Sequence, residues 1–172
     1  MRYLVTGHTG FKGSWLSTVL REHGHEVVGL ALPALSGSLY EAARLDEMVT
    51  RSVLADVRDA ITTRKILTET EPDVVIHMAA QPLVRASYED PRTTIDTNVM
   101  GTLSVLEAVA STTSVRACVV VTTDKVYRNV GQDGGYTELD ALGGHDPYSA
   151  SKAMADILTT SWADSFGGPP IG

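Results

Sequence analysis

Tyr148 and Lys152 stand four residues apart in Tyr148-Ser149-Ala150-Ser151-Lys152, the spacing that puts two side chains on one face of a helix. A free phenol ionises near pH ~10, and making it a base near neutrality takes about 4 kcal/mol of preference for the phenolate. A neighbouring ammonium supplies part of that preference, and a helix N-terminus or a second cation adds to it. Taken alone, the pair is also a common chance pairing on a helix surface. Upstream, Thr122-Thr123-Asp124-Lys125 ends an apolar run. A hydroxyl there could act with Tyr148 to hold a substrate hydroxyl while its proton leaves. Polar residues at a strand's end are otherwise a routine exit turn.

A third element of chemistry lies at the start of the chain. Gly7-His8-Thr9-Gly10-Phe11-Lys12-Gly13 follows the first apolar run and opens a helix-length segment. Gly7 can turn with positive φ, Gly10 lets backbone approach a pyrophosphate, and Gly13 lets helix and strand pack closely. The helix N-terminus then offers unpaired N–H groups to phosphate. Such a cradle expects an acid about 20 residues further on for a ribose 2′-hydroxyl. The corresponding stretch, Ala31-Leu32-Pro33-Ala34-Leu35-Ser36, has neither acid nor arginine. Asp56-Val57 ends a later strand and could take an adenine amino hydrogen, or Asp56 could be a turn residue. His77-Met78-Ala79-Ala80-Gln81 offers small residues where a cofactor would pass close to backbone.

Positioning these groups falls to alternating strands and helices. Apolar runs at Arg2–Thr6, Glu26–Leu32, Arg51–Asp56, Asp73–Met78 and Ala117–Thr122 lack polar alternation, as strands buried on both faces do. Between them, Gly13–Glu22 predicts one helix, and Asp59 N-caps another that ends before Glu71-Pro72. Ile95, Val99, Leu103, Leu106 and Val109 predict a third with one apolar face. Asp146-Pro147 opens a last helix running toward Phe166, which Gly167-Gly168-Pro169-Pro170 stops. The alternation predicts an α/β fold, a doubly wound parallel sheet, with the Gly-rich loop Arg128–Asp146 past a strand end where ligands bind.

The 172 residues are about one domain's worth, and 43% are hydrophobic, as in an ordinary globular chain. A net charge of −7 argues against nucleic acid or anionic membrane as a partner, because both need clustered Lys and Arg. No apolar run approaches the roughly 20 residues of a membrane helix, and the N-terminus lacks a signal-peptide core. Cys118 is the one cysteine, so no internal disulfide forms and a reducing cytoplasm fits. No metal site is expected.

Glycine cradle, strand-end threonine and Tyr-x-x-x-Lys, in that order, resemble the extended short-chain dehydrogenase/reductase superfamily of NAD-dependent epimerases and dehydratases. Gly7–Leu16, His77–Arg85, Thr97–Thr102, Thr123-Asp124-Lys125 and Asp146–Ser149 look like the CDP-glucose 4,6-dehydratase family within it. Lys125 is the most discriminating residue, since hexose dehydratases on other nucleotides usually carry glutamate there. The resemblance implies a Rossmann fold, incomplete after the fifth strand and the following helix. Residues 1–172 would be the NAD-binding domain with its catalytic residues, and the sugar-nucleotide-binding part would lie beyond. It further implies conversion of CDP-glucose to CDP-4-keto-6-deoxyglucose. C4 is oxidised, water leaves across C5/C6, and hydride returns at C6. Thr123, Asp124, Lys125, Tyr148 and Lys152 are the implied catalytic residues. Asp124 would be the general acid, and Lys125, if neutral, the base at C5. NAD, with NADP not excluded, is expected on Gly7, His8, Gly10, Phe11, Lys12, Gly13, Asp56, Val57, Ala79, Ala80, Gln81 and Thr122, with Tyr148 and Lys152. His8 and Lys12 would meet its phosphates, and Asn98 would support the site. A cytoplasmic homodimer is implied, paired through the helices near Ile95 and Pro147. The competing readings are an epimerase or reductase on another nucleotide sugar, and a non-catalytic dinucleotide-binding fragment with apolar edges left open.

Overall fold

Five parallel strands form one sheet in the computed structural model, which describes residues 1–172. They are β1 (Arg2–Thr6), β2 (Glu26–Ala31), β3 (Arg51–Leu54), β4 (Val74–His77) and β5 (Ala117–Val120), in spatial order β3-β2-β1-β4-β5. The order reverses beside β1, which opens a crevice at the carboxyl ends of β1 and β4. Four strands end one or two residues before the sequence predicts. The residues left over, Leu32, Ala55, Asp56, Met78, Val121 and Thr122, lie past the strand ends and line that crevice.

The helices are α1 (Phe11–Glu22), α2 (Leu39–Ala42), α3 (Ala60–Thr70), α4 (Val84–Glu89), α5 (Pro91–Ile95), α6 (Gly101–Ala110) and α7 (Pro147–Phe166). A π-helical turn, Asp96–Met100, joins α5 to α6. Asp59 caps α3 by accepting from the N–H groups of Ile61 and Thr62, and Glu71 stops it in the left-handed region at φ 44°. Asp146 caps α7 by accepting from the Ser149 N–H at 2.9 Å, with Pro147 in the first turn. The short helices α2 and α4 have no long apolar period and were not legible in the sequence.

One face of the sheet carries the main core, where Leu4, Val28, Val75 and Cys118 meet Ile66 and Leu67 of α3 and Val105, Leu106 and Val109 of α6. On the other face, Val5 and Val27 pack under Leu16 and Leu20 of α1. Beyond α1 that second face is open. Val74, Ile76 and Ala117 are only half-buried there and Val119 is 44% exposed, so β5 is not buried on both sides as its composition predicts. Its backbone edge, by contrast, is partly paired. The Cys118 N–H donates to the Pro170 carbonyl at 2.9 Å and the Gly172 N–H donates to the Cys118 carbonyl at 3.1 Å.

The apolar face expected for the third helix requires correction. Leu106 and Val109 are buried, but Val99 and Leu103 are half-buried and Ile95 is exposed. The stripe turned inward is Thr94, Asn98, Thr102, Val105, Leu106 and Val109. Its polar members can be buried because each is hydrogen-bonded, and the wider π turn keeps a spacing of four on one face.

Candidate active site

A cleft of about 610 Å³ runs across the carboxyl ends of the strands, within the roughly 300–1,000 Å³ usual for small-molecule and cofactor sites. Its floor is the turn from β1 into α1. Gly7 sits at φ +75°, and a Cβ on it would meet the Ala79 amide nitrogen at 2.9 Å. A Cβ on Gly13 would strike the Gly7 carbonyl and lie 2.7 Å from the His8 Cα. Glycine at both positions is what lets α1 start this close to β1 and β4. The first N–H groups of α1 have no helical carbonyl to take them, and its N-cap, Gly10, offers no side chain.

A buried chain of hydrogen bonds sets the loop after β4. The Thr6 hydroxyl oxygen accepts from the N–H groups of Met78 and Ala79, both at 3.0 Å. Its own proton goes to Nδ1 of His77 at 2.7 Å, so Nε2–H of His77 donates to Thr102 Oγ1 at 3.0 Å. The Thr102 hydroxyl in turn donates to the Asn98 carbonyl at 2.7 Å. Burial, reinforced by the charge of Lys152, pushes His77 down to about 3, so it stays neutral in this network. Asn98, on the π turn, accepts from the Gln81 N–H at 2.8 Å and donates to Ser151 of α7 at 2.8 Å. One side chain therefore ties the loop after β4 to the helix that carries Tyr148.

Tyr148 and Lys152 both line the cleft, in the first turns of α7, together with Thr122 from the end of β5. The Lys152 ammonium is buried and donates to the Val121 carbonyl at 2.9 Å. Burial, helped by the charge of Lys12, pushes it down to about 8. Thr123, Asp124 and Lys125 are not part of the lining. Thr123 caps a short 3-10 turn, Asp124–Val126, at the rim, where Asp124 and Lys125 are exposed. Against the effect of partial burial, hydrogen bonds from Ser149 hold the Asp146 carboxyl below its usual range, and the Lys125 charge adds the least to that.

Of the expected cofactor residues, Gly7, Gly10, Phe11, Lys12 and Gly13 share the cleft with Asp56, Val57, Ala79, Ala80 and Gln81. His8 does not meet it with its side chain. The imidazole is fully buried against Gly29, where any Cβ would overlap it, and Nε2 bonds the Ser52 hydroxyl at 2.8 Å. Burial pushes it down to about 4, so it offers phosphate no charge near neutrality. Asn98 stands behind the lining. The Asp56 carboxylate faces the cleft already engaged by Arg58, whose Nε lies 3.0 Å from Oδ1 and Nη2 2.6 Å from Oδ2. The Arg58 guanidinium holds that carboxyl below its usual range. Sequence reasoning missed Arg58 and Thr93, which line the cleft from surface-like polar segments with no motif to mark them, and it placed Thr97 in a family-like run without assigning it to the site. The loop Arg128–Asp146 contributes nothing to the lining. Its Tyr136 stacks on Tyr127, the residue just before the loop, with ring centroids 5.5 Å apart.

Comparisons with known proteins agree with this arrangement. The family described as GDP-mannose 4,6 dehydratase matches residues 4–171. The CDP-glucose 4,6-dehydratase of Salmonella typhimurium is 47% identical over 169 residues, which cover 98% of this chain and 47% of that protein. A dTDP-glucose 4,6-dehydratase double mutant from Streptomyces venezuelae, solved with NAD and DAU bound, matches at TM-score 0.87 and 30% identity over 99% of this chain and 54% of that one. The UDP-glucose 4-epimerase of Thermus thermophilus in complex with NAD gives TM-score 0.86 and 31% identity, over 99% and 53% respectively. The chain spans about half the length of the curated relatives it matches.

Proposed function

Because the chain belongs to the GDP-mannose 4,6-dehydratase family, we propose that it is the dinucleotide-binding and catalytic domain of a nucleotide-sugar 4,6-dehydratase that converts CDP-glucose to CDP-4-keto-6-deoxyglucose. One observation carries this reading: Tyr148 and Lys152 line the same cleft as the glycine turn of β1 and α1. The 47% identity to a CDP-glucose 4,6-dehydratase and the Thr123-Asp124-Lys125 run support the choice of substrate.

The cleft fits NAD. Gly7 and Gly13, where a Cβ would strike neighbouring backbone, bring the start of α1 close against β1 and β4, the first turn of α1 presents free N–H groups, and Lys12 adds a positive charge beside them. Gly7, Gly10, Phe11, Lys12 and Gly13 would hold the pyrophosphate. Asp56, Val57, Ala79, Ala80, Gln81 and Thr122 would flank the rest. When bound, NAD supplies the oxidant for C4 and the reductant for C6. Tyr148 takes the proton of the sugar C4 hydroxyl, with Thr123 holding that hydroxyl in line. Lys152 favours the phenolate through its charge and stays fixed by the Val121 carbonyl. The resulting ketone acidifies C5, whose proton goes to Lys125. Asp124 protonates the departing C6 hydroxyl. For Lys125 to serve, a bound sugar must cover it.

Nuclear magnetic resonance of CDP-glucose incubated with the chain and NAD⁺ in deuterated water tests this. A C6 methyl signal with deuterium at C5 is the expected result. No C6 methyl with CDP-glucose, but turnover of a UDP- or dTDP-sugar, would reject the substrate. A second reading, dinucleotide binding without turnover, is favoured by the exposure of Asp124 and Lys125. NAD⁺ binding with no sugar product would support it. We also propose a cytoplasmic homodimer paired through α5, the π turn and α7, where Ile95, Met100, Met154 and Ile157 are exposed.

A further inference from the structure

Between Gly7 and Gly10 the turn carries one ring, that of His8, and it points away from the cleft. The ring lies across β2 on Gly29, where a Cβ would strike its Cγ and Cδ2. Gly29 is in register with Val5 of β1 on one side and with Ser52 of β3 on the other. Reaching past β2, the His8 Nε2 bonds the Ser52 hydroxyl at 2.8 Å. Tyr40 of α2 closes over the imidazole edge-on, with ring centroids 5.4 Å apart. The backbone on the other side of His8 is the start of the phosphate cradle. The Gly7 N–H donates to the Leu30 carbonyl at 2.8 Å, and the Ser14 hydroxyl donates to the His8 carbonyl at 3.2 Å. The His8 Cα lies 2.7 Å from where a Cβ on Gly13 would be, so α1 begins in contact with it. A ring seated in a close-packed interior cannot shift without carrying the first N–H groups of α1 along.

We propose that His8 is a positioning residue: seated on Gly29 and tied to Ser52, it fixes the place of the glycine turn and so the grip of the cleft on a dinucleotide diphosphate that the ring itself does not touch. The proposal rests on the dinucleotide reading of the cleft given above. Gly29 and Ser52, on strands that carry no motif, become part of the site through this ring.

Titration calorimetry of the full chain with NAD⁺ is the test. Gly29→Ala should push the ring and the turn out of place, and each charge-assisted hydrogen bond lost to the diphosphate weakens binding by about tenfold or more. Adding His8→Ala to Gly29→Ala removes the overlap and should restore affinity to within about threefold of wild type. A loss of general stability would not be repaired by deleting a second buried side chain. The wild type gives a further readout that needs no variant. Burial, against the effect of the Leu30 carbonyl, pushes His8 down to about 4, while Lys152, Asp56 and Arg58 keep their charge. From about pH 7 to about pH 5.5 its affinity should therefore change by less than about threefold. An imidazolium on the phosphate would tighten binding about tenfold over that range. Such tightening, full affinity in Gly29→Ala, or no recovery in the double variant overturns the proposal. A wild-type chain that binds no NAD⁺ overturns the dinucleotide reading and this inference with it, whereas binding indifferent to the pair overturns the inference alone.

Discussion

Lys125 holds the chemistry to a demanding requirement, because an amine must be neutral to take a proton from carbon. Without substrate it lies exposed at the rim and its charge acts on Asp146. The proposed role therefore depends on a bound sugar burying the amine. Lys125→Met should still allow C4 oxidation, seen as reduced nicotinamide absorbance on adding CDP-glucose. It should abolish the 6-deoxy product and the deuterium at C5. Unchanged turnover would remove Lys125 from the mechanism. Lys152 differs in kind: it is buried, fixed to a carbonyl and pushed down to about 8, a charge held in place rather than one that must move.

Among the elements, the π turn has the most consequence for the site. It aims Asn98 at two neighbours at once, the loop after β4 and the first turns of α7. Gly101, just after it, lets α6 approach Val57, whose Cγ1 lies 2.7 Å from where a Cβ would be. Asn98→Ala would leave the Gln81 amide and the Ser151 hydroxyl without this partner. It should cost about 1–3 kcal/mol per unsatisfied group in urea unfolding. The looser tie between Gln81 and α7 should also weaken NAD⁺ binding. A variant with wild-type stability would show that the asparagine is not the tie described here.

For the whole molecule, two buried neutral histidines predict the response to acid. Burial lowers His8 to about 4 and His77 to about 3 in the folded state, while both ionise near 6.5 when unfolded. Between those values the unfolded chain binds more protons, so stability is fully present above pH ~6.5 and is lost as pH falls through the folded values. The combined effect is on the order of several kcal/mol. Urea midpoints from pH 7 to 4 should fall steadily, and His8→Phe should flatten part of the slope; a midpoint constant over that range would contradict it. The open half of the sheet predicts a second global property. Val119→Lys replaces a side chain already 44% exposed, so stability should change by less than about 0.5 kcal/mol. Concentration-dependent light scattering should decrease, and unchanged scattering would show that this face does not drive association.

What was legible in the sequence was local. Strand runs, the caps Asp59 and Asp146, the glycine turn and the pairing of Tyr148 with Lys152 each depend on residues a few positions apart, whose types carry their own conformational preferences. Tertiary structure decided what lies between distant segments. His8 belongs to the glycine motif by sequence, yet its ring turns into the core because Gly29, on the neighbouring strand, leaves room for it. Asp56 meets the cleft already paired, and Arg58 is brought there by the turn after β3. The inward face of the π turn and α6 proved partly polar, since Thr102 and Asn98 find partners on β4 and α7 that no helical period encodes. Burial and hydrogen-bond partners are properties of packed surfaces, and those surfaces exist only once the strands are side by side.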